Sequence, residues 1–143
     1  EDKPYIVSWN LTKQCNLSCP HCYIDAHPSL NSVHENELTR DDAQSVINAL
    51  SSLNNNLMLI LSGGEPMLRE DIFDIVRSAS SAGLIVVLGS NGTLLTRDSL
   101  RILKDAGLMG VGISIDSTVS HLGRIGTVKV TSQWGLQWEM RRV

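Results

Sequence analysis

The sequence has 143 residues, of which 42% are hydrophobic and 19% charged, and its formal net charge at pH 7 is −3. This composition suits one modest domain with a hydrophobic core, and the slight negative charge excludes the basic surface expected of a protein that binds nucleic acid or an anionic membrane. No apolar run approaches the roughly 18 residues of a transmembrane helix, and the odd, clustered cysteines argue for reduced thiols, so we expect a cytoplasmic protein.

The first part of the chain contains a predicted strand, a cysteine-rich loop and a predicted helix. Residues 5–11 are rich in β-branched and aromatic side chains and predict the strand. Residues 24–37 are polar and irregular, which is typical of a loop. Thr39 is the predicted N-cap of a helix with acidic residues in its first turn. Behind it, apolar residues recur at helical spacing and predict one buried face: Ala43, Val46, Ile47, Leu50 and Leu53.

The rest of the chain continues this alternation. Residues 57–61 are continuously apolar, which predicts a strand covered on both faces. A second helix with an apolar face follows and ends at Gly83, and residues 84–88 predict the third strand. Thr96 caps a third predicted helix, which is followed by a fourth strand at residues 111–115.

Alternating strands and helices indicate an α/β fold with a parallel sheet backed by helices. In such folds the chemistry collects at the carboxyl ends of the strands. A cluster of small or polar residues follows each of the four predicted strands: the cysteine loop, residues 63–65, residues 90–92 and residues 114–117. We therefore expect the four clusters to meet on one rim.

The three cysteines, Cys15, Cys19 and Cys22, lie within eight consecutive residues. This spacing lets one short loop surround a compact metal centre, either zinc or an iron–sulfur cluster. A closed structural site uses four protein ligands, so three thiolates leave one position open. Zinc would recruit a histidine as its fourth ligand, from His21, His27 or His34. We expect His21, which lies between two cysteines, to shape the site rather than to bind the metal.

The other rim clusters each have a functional and an ordinary interpretation. Gly63 and Gly64 would let the backbone approach a ligand closely, and Pro66 would keep Glu65 extended and aim its carboxylate across the rim towards a cation. The ordinary interpretation of Glu65 is a solvated turn carboxylate. Likewise, the residues at 90–92 and at 114–117 fit either a ligand site or local loop hydrogen bonds.

The cysteine spacing Cys15-x-x-x-Cys19-x-x-Cys22 and the later Gly63-Gly64-Glu65-Pro66, each directly after a predicted strand, together resemble the radical S-adenosylmethionine (SAM) superfamily. The resemblance covers about residues 5–117. It implies a partial parallel (β/α) barrel of about four strands with helices on the outside. It also implies an enzyme whose three cysteines bind a 4Fe-4S cluster, with SAM on the fourth iron, and which cleaves SAM reductively to a 5′-deoxyadenosyl radical for hydrogen abstraction.

The same resemblance implies roles for further residues. Gly63, Gly64 and Glu65 would hold the amino group of SAM. The residues near the ribose, the SAM carboxylate or the substrate would be Ser90, Asn91 and Ser114, and those bordering the adenine would be His21 and Tyr23. The implied partners are an electron donor such as a flavodoxin or ferredoxin and an unknown small-molecule or peptide substrate. The motifs look most like the branch that modifies peptides and makes haem.

The sequence after residue 117 departs from the regular pattern. We expect residues 1–117 to form the radical SAM core and residues 118–143 to form an atypical tail, which we interpret as the aberrant end of a longer enzyme. Its nearest match to a SAM-contacting His-Asp-x-x-Arg segment is His121-Leu122-Gly123-Arg124, which is one residue short and lacks the aspartate. The alternatives are a catalytically inactive cluster-binding fragment and a zinc-stabilised binding module.

Overall fold

The computed structural model describes residues 4–20, 22–26, 37–114, 130–131 and 137–138. Its main elements, in chain order, are β1 (Ile6–Asn10), α1 (Arg40–Leu53), β2 (Met58–Ser62), α2 (Ile72–Ser81), β3 (Ile85–Ser90), α3 (Arg97–Asp105) and β4 (Gly110–Ile113). A short 3-10 turn at Pro66–Leu68 separates β2 from α2. The predicted order of strands and helices is therefore confirmed for these residues.

The four strands form one parallel sheet in the order β1-β2-β3-β4. At the carboxyl ends of the strands, the paired residues are Asn10 with Ser62, Leu61 with Leu88, and Ser90 with Ile113. Because the parallel strands pair with little stagger at these ends, their carboxyl ends lie along one edge of the sheet. The loops that follow them therefore share a rim. The α/β partial-barrel fold predicted from the sequence is confirmed.

The helices cover one face of this sheet. Leu59, Leu61, Val86 and Leu88 point to that face and belong to the same core cluster as buried residues of all three helices. Both predicted N-caps are confirmed, since Thr39 and Thr96 each form a capping box with the residue three positions later. The prediction that Leu53 is buried is wrong: this residue is 49% exposed, because it lies in the last turn of α1.

The predicted double-sided burial of β2 is also wrong. Leu59 and Leu61 are fully buried, whereas Met58 and Ile60 are only partly buried. The buried residues of the described helices belong to the same core cluster as Leu59 and Leu61, which share one face of the strand. A continuously apolar strand therefore has one tightly packed face here.

All four strands differ from the sequence prediction by one or two residues at each end. β3 continues to Ser90 because its last residues pair with β4. β4 runs from Gly110 to Ile113, so it begins one residue earlier than predicted and ends before Ser114, which lies outside the strand. In the tail, Val130–Thr131 pairs antiparallel with Gln137–Trp138, and the rest of residues 118–143 lies outside the described part. No helix in the described ranges is long and apolar enough to cross a membrane.

Candidate functional site

The cysteine loop leaves the carboxyl end of β1 and lies against the loop that follows β2. Cys15 is buried, with 8% of its surface exposed, and Cys19 and Cys22 are partly buried. The amide N–H of Leu17 donates to Cys15 Sγ at 3.4 Å, and that of Ala26 donates to Cys22 Sγ at 3.4 Å. A sulfur that binds a metal can keep such backbone donors, because they leave its remaining lone pairs available to the metal.

Gly63 and Gly64 allow the two loops to touch through their backbones. Gly64 N–H donates to the carbonyl of Thr12 and Glu65 N–H to that of Gln14, both at 2.8 Å. A Cβ on Gly63 would lie 2.5 Å from the Thr12 oxygen, and one on Gly64 would lie 2.2 Å from the Gln14 oxygen. The close approach that we predicted from the glycines therefore involves the chain's own backbone, next to the first cysteine.

Glu65 is fully buried, so the interpretation as a solvated turn carboxylate is wrong. Its Oε1 accepts from Met67 N–H at 3.1 Å, and its Oε2 accepts from Asn91 N–H at 2.8 Å. The Ser90 hydroxyl lies 3.0 Å from both carboxylate oxygens. The carboxylate reaches from the end of β2 to the end of β3, and its donors are all neutral.

Asn91 lies at the end of β3 and faces the cysteine loop. Its Nδ2 is 2.9 Å from Asn16 Oδ1 and 3.8 Å from Cys15 Sγ. Ser90, the preceding residue, is buried and directs its hydroxyl to Glu65. The structure thus brings the ends of β1, β2 and β3 together, as the sequence predicted, through hydrogen bonds among their own residues.

The remaining predicted site residues lie further from this network or outside the described part. Ser114 is exposed at the end of β4, and its N–H donates to the carbonyl of Ser90 at 3.0 Å. Tyr23 is exposed, with its hydroxyl 3.2 Å from Asn10 Oδ1 at the end of β1. Three residues that we discussed from the sequence lie outside the described residues: His21, His27 and His34.

The sequence analysis missed a polar cluster centred on Arg69. Its guanidinium forms two hydrogen bonds of 2.8 Å with the carboxylate of Asp71, at the start of α2. It also donates to the carbonyls of Leu11 and Leu38, both at 3.1 Å. Hydrogen bonding to Arg69 lowers the pKa of Asp71, and the same bond raises that of Arg69.

This cluster continues into the lead-in of the cysteine loop. The Thr12 hydroxyl donates to Glu37 and accepts from Gln14 N–H at 2.9 Å, and Glu37 lies 3.9 Å from Arg69. The only sequence signal for it is a pair of opposite charges two residues apart, Arg69 and Asp71, after the predicted rim loop. That signal indicates a local ion pair and does not reveal the distant carbonyls.

The donor set fits thiolate chemistry at an iron–sulfur cluster. Within the ranges that the structure covers, no group of three His, Cys, Asp or Glu side chains is arranged to hold a single metal ion. The same absence applies to the three cysteines, so it does not separate the zinc interpretation from the cluster. A cluster attaches each thiolate to a different iron, and the loop offers three cysteines, one buried and two partly buried.

Comparison with known families gives one match over most of the chain. The profile of the Radical SAM superfamily matches residues 9–134. An AdoMet-dependent heme synthase of Methanosarcina barkeri is 45% identical over 113 residues, which cover 79% of this chain and 31% of that protein. A pre-heme d1 synthase of Dinoroseobacter shibae is 35% identical over 119 residues, covering 80% of this chain and 27% of that protein.

A third relative has a name that refers to a peptide and not to haem. The PqqA peptide cyclase of Bradyrhizobium diazoefficiens is 38% identical over 119 residues, covering 83% of this chain and 30% of that protein. Among solved structures, BtrN in complex with AdoMet and 2-DOIA matches with a TM-score of 0.70 and 18% identity, over 85% of this chain and 49% of that one. The chain thus spans less than a third of these curated relatives.

Proposed function

Because this chain belongs to the radical SAM superfamily, we propose that it is the cofactor-binding part of a radical SAM enzyme. Cys15, Cys19 and Cys22 would hold a 4Fe-4S cluster, and SAM would complete the coordination of the fourth iron. When bound, the cluster supplies the electron that splits SAM into methionine and a 5′-deoxyadenosyl radical, which abstracts hydrogen from the substrate. The matched part is less than a third of each of these relatives, so the proposal concerns one part of a longer enzyme.

One observation carries this proposal more than any other. The loop with the three cysteines is joined to the loop at residues 63–65 by two backbone hydrogen bonds of 2.8 Å. The place where a cluster would lie is therefore next to the place where the methionine end of SAM would lie. Neither motif alone has this implication, because three thiols or a pair of glycines occur in many unrelated loops.

The residues around the rim suggest how the methionine end of SAM would be held. Gly63 and Gly64 are partly exposed, so their carbonyls would accept from the SAM ammonium group. Glu65 lies buried behind them and would attract the ammonium through its negative charge, since no ion pair within the described ranges involves it. In a site shielded from water, such an attraction is stronger than at an exposed surface.

The remaining assignments follow from position. Asn91 and Ser114, at the ends of β3 and β4, would lie near the ribose, the SAM carboxylate or the substrate. Ser90 would act through its hydrogen bond to Glu65. His21 and Tyr23 would border the adenine. The reduced cluster needs an electron donor, for which a flavodoxin or ferredoxin is the expected class, and we expect the protein to work in the cytoplasm.

The relatives suggest two substrate classes, a haem precursor or a peptide. The heme synthase of Methanosarcina barkeri is the more similar by identity, at 45% against 38% for the PqqA peptide cyclase. We therefore propose haem or cofactor biosynthesis first and peptide modification second. In folds of this kind, substrate choice depends on loops and domains added to a shared core.

Anaerobic reconstitution with iron and sulfide tests cluster binding. We expect roughly four irons and four sulfides per chain, and a large loss of both in Cys15→Ala. Ser18→Ala is the matched control, because Ser18 lies exposed in the same loop and should leave the content unchanged. A single tightly bound zinc with no sulfide would refute the cluster and favour the zinc-stabilised module.

SAM cleavage needs a separate measurement. The reconstituted chain is reduced with dithionite in the presence of SAM, and 5′-deoxyadenosine is quantified by chromatography. Formation of 5′-deoxyadenosine above the level given by Cys15→Ala establishes reductive cleavage. A fully loaded chain that forms none would be the inactive cluster-binding fragment.

A further inference from the structure

We propose that Asn91 is a positioning residue of the metal-binding loop: its side-chain amide holds Asn16 and donates to Cys15 Sγ, and thereby raises the reduction potential of a cluster bound there. This inference rests on the proposed function for the cluster itself. It adds a role for Asn91 on the cysteine side of the rim, which the resemblance does not assign. The contact that carries it is the 3.8 Å approach of Asn91 Nδ2 to Cys15 Sγ.

Three side chains form a closed ring of hydrogen bonds at this point. Asn91 Nδ2 donates to Asn16 Oδ1 at 2.9 Å. Asn16 Nδ2 donates to Thr93 Oγ1 at 2.8 Å, and Thr93 Oγ1 donates to Asn91 Oδ1 at 2.7 Å. Each member donates to one neighbour and accepts from the other, so the bonds polarise one another in one direction. The ring fastens the residue after Cys15 to the end of β3.

The ring also fixes which way the Asn91 amide faces. Its Oδ1 accepts from both the N–H and the hydroxyl of Thr93, so the nitrogen is the end directed to the cysteine loop. The opposite orientation would place two acceptors, Asn91 Oδ1 and Asn16 Oδ1, against each other. It would also direct an oxygen at the sulfur, which repels a thiolate.

The backbone of Asn91 is held independently of the ring. Its N–H donates at 2.8 Å to Glu65 Oε2, a carboxylate oxygen with no exposure to solvent. A hydrogen bond to a carboxylate is among the stronger ones in a protein. The amide is therefore anchored at its main chain by Glu65 and oriented at its side chain by Thr93, and the sulfur lies within its reach.

A donor at a ligating sulfur has a defined effect on a cluster. Reduction adds negative charge to the cluster and its thiolates, and a hydrogen-bond donor stabilises that charge. Cys15 already accepts one donor, the N–H of Leu17 at 3.4 Å. The Asn91 amide would be a second donor to the same sulfur, and its removal would make the reduced state less favourable.

The test uses the 143-residue chain and two readouts. The first is the reduction potential of the reconstituted cluster, from a redox titration followed by electron paramagnetic resonance. We expect Asn91→Leu to shift the potential to more negative values, and Asn91→Asp to shift it further because a carboxylate adds negative charge. Asn55→Leu is the matched control, since Asn55 is exposed in the turn before β2, and it should have the wild-type potential.

The second readout is hydrogen exchange of the metal-free chain, which needs no cluster. Asn91→Leu should speed exchange at the amides of residues 15–17, whereas Asn55→Leu should not. If the wild type loads no cluster, the proposed function fails, and exchange alone decides the role of Asn91. If the wild type loads a cluster and neither Asn91 variant does, the proposed function stands, and exchange at residues 15–17 decides the role of Asn91.

Two results would overturn the inference. One is exchange at residues 15–17 that is unchanged in Asn91→Leu, because the ring then does not hold the loop. The other is a loaded Asn91→Leu chain with the wild-type potential, because the amide then does not act on the sulfur. A more negative potential together with faster exchange supports both parts of the proposal.

Discussion

Glu65→Gln should destabilise the protein although it preserves the shape of the side chain. The carboxylate of Glu65 accepts from two backbone N–H groups on opposite oxygens, Met67 on Oε1 and Asn91 on Oε2. A glutamine has one acceptor oxygen and one NH₂ group. Whichever way the amide is turned, its nitrogen faces one of those two N–H donors.

The magnitude follows from what is lost. One hydrogen bond to a charged acceptor disappears, which is worth about 1.5–3 kcal/mol, and one partly buried N–H remains without an acceptor, which costs up to about 1–3 kcal/mol. Removing the buried charge also removes its desolvation penalty, which offsets part of this loss. We expect a net destabilisation of about 2–4 kcal/mol, a large share of the roughly 5–15 kcal/mol typical of a domain.

The assay is urea unfolding of the metal-free, reduced chain at neutral pH, followed by circular dichroism. The free energy of unfolding comes from linear extrapolation, and the slope should be the same for both chains. Glu70→Gln is the control, because Glu70 is exposed five residues further along the same segment, and it should change stability by less than about 0.5 kcal/mol. If Glu65→Gln unfolds at the wild-type urea concentration, Glu65 is not the buried link between β2 and β3.

Two further predictions concern the neighbouring segments. Gly64→Ala should lower cluster content at saturating iron and sulfide and destabilise the chain by about 1–3 kcal/mol, because the new Cβ would meet the Gln14 carbonyl at 2.2 Å and displace the start of the cysteine loop. Asp71→Asn should make the free energy of unfolding fall less steeply at acidic pH. The hydrogen bond to Arg69 lowers the pKa of Asp71 in the folded chain. The stability that this carboxylate contributes is therefore complete above its unfolded pKa of about 4 and disappears as the pH falls through the lower folded value.

Each of these variants has a matched control in the chain. Gly110→Ala places a Cβ where no atom lies within 4 Å, so it should keep the cluster content of the wild type. Asp98→Asn removes an exposed carboxylate whose ion pair among the described residues is an exposed i,i+3 contact with Arg101, so it should leave the fall in the free energy of unfolding at acidic pH unchanged. Equal behaviour of a variant and its control would contradict the corresponding contact.

The sequence was sufficient for the features that depend on neighbouring residues. The helix N-caps at Thr39 and Thr96 follow from a hydroxyl residue before an apolar repeat, and both are present. The shared rim follows from strand–helix alternation, because parallel strands place their carboxyl ends on one edge. These signals are local or depend on chain topology, so no side-chain geometry is needed to find them.

The contacts within the rim could not be predicted in this way. Arg69 donates to carbonyls 58 and 31 residues away, at Leu11 and Leu38, and backbone carbonyls carry no sequence signature. The sequence did not reveal that Glu65 accepts from Ser90 and from two backbone amides, one of which belongs to a loop 26 residues later. The glycines gave the correct signal of a close approach without identifying what approaches.

The ring that joins Asn16 to Asn91 and Thr93 can form only after the ribosome has synthesised both ends of it. Asn91 follows Asn16 by 75 residues. A ribosome that adds about 5–20 residues per second therefore adds Asn91 roughly 4–15 s after Asn16. During that interval the three thiols have left the synthesis site without the partners that order their loop. Closing so distant a contact is also slower than forming a local turn. We therefore expect loading of the proposed cluster to follow synthesis of the end of β3, so that the three thiols remain without a metal until then.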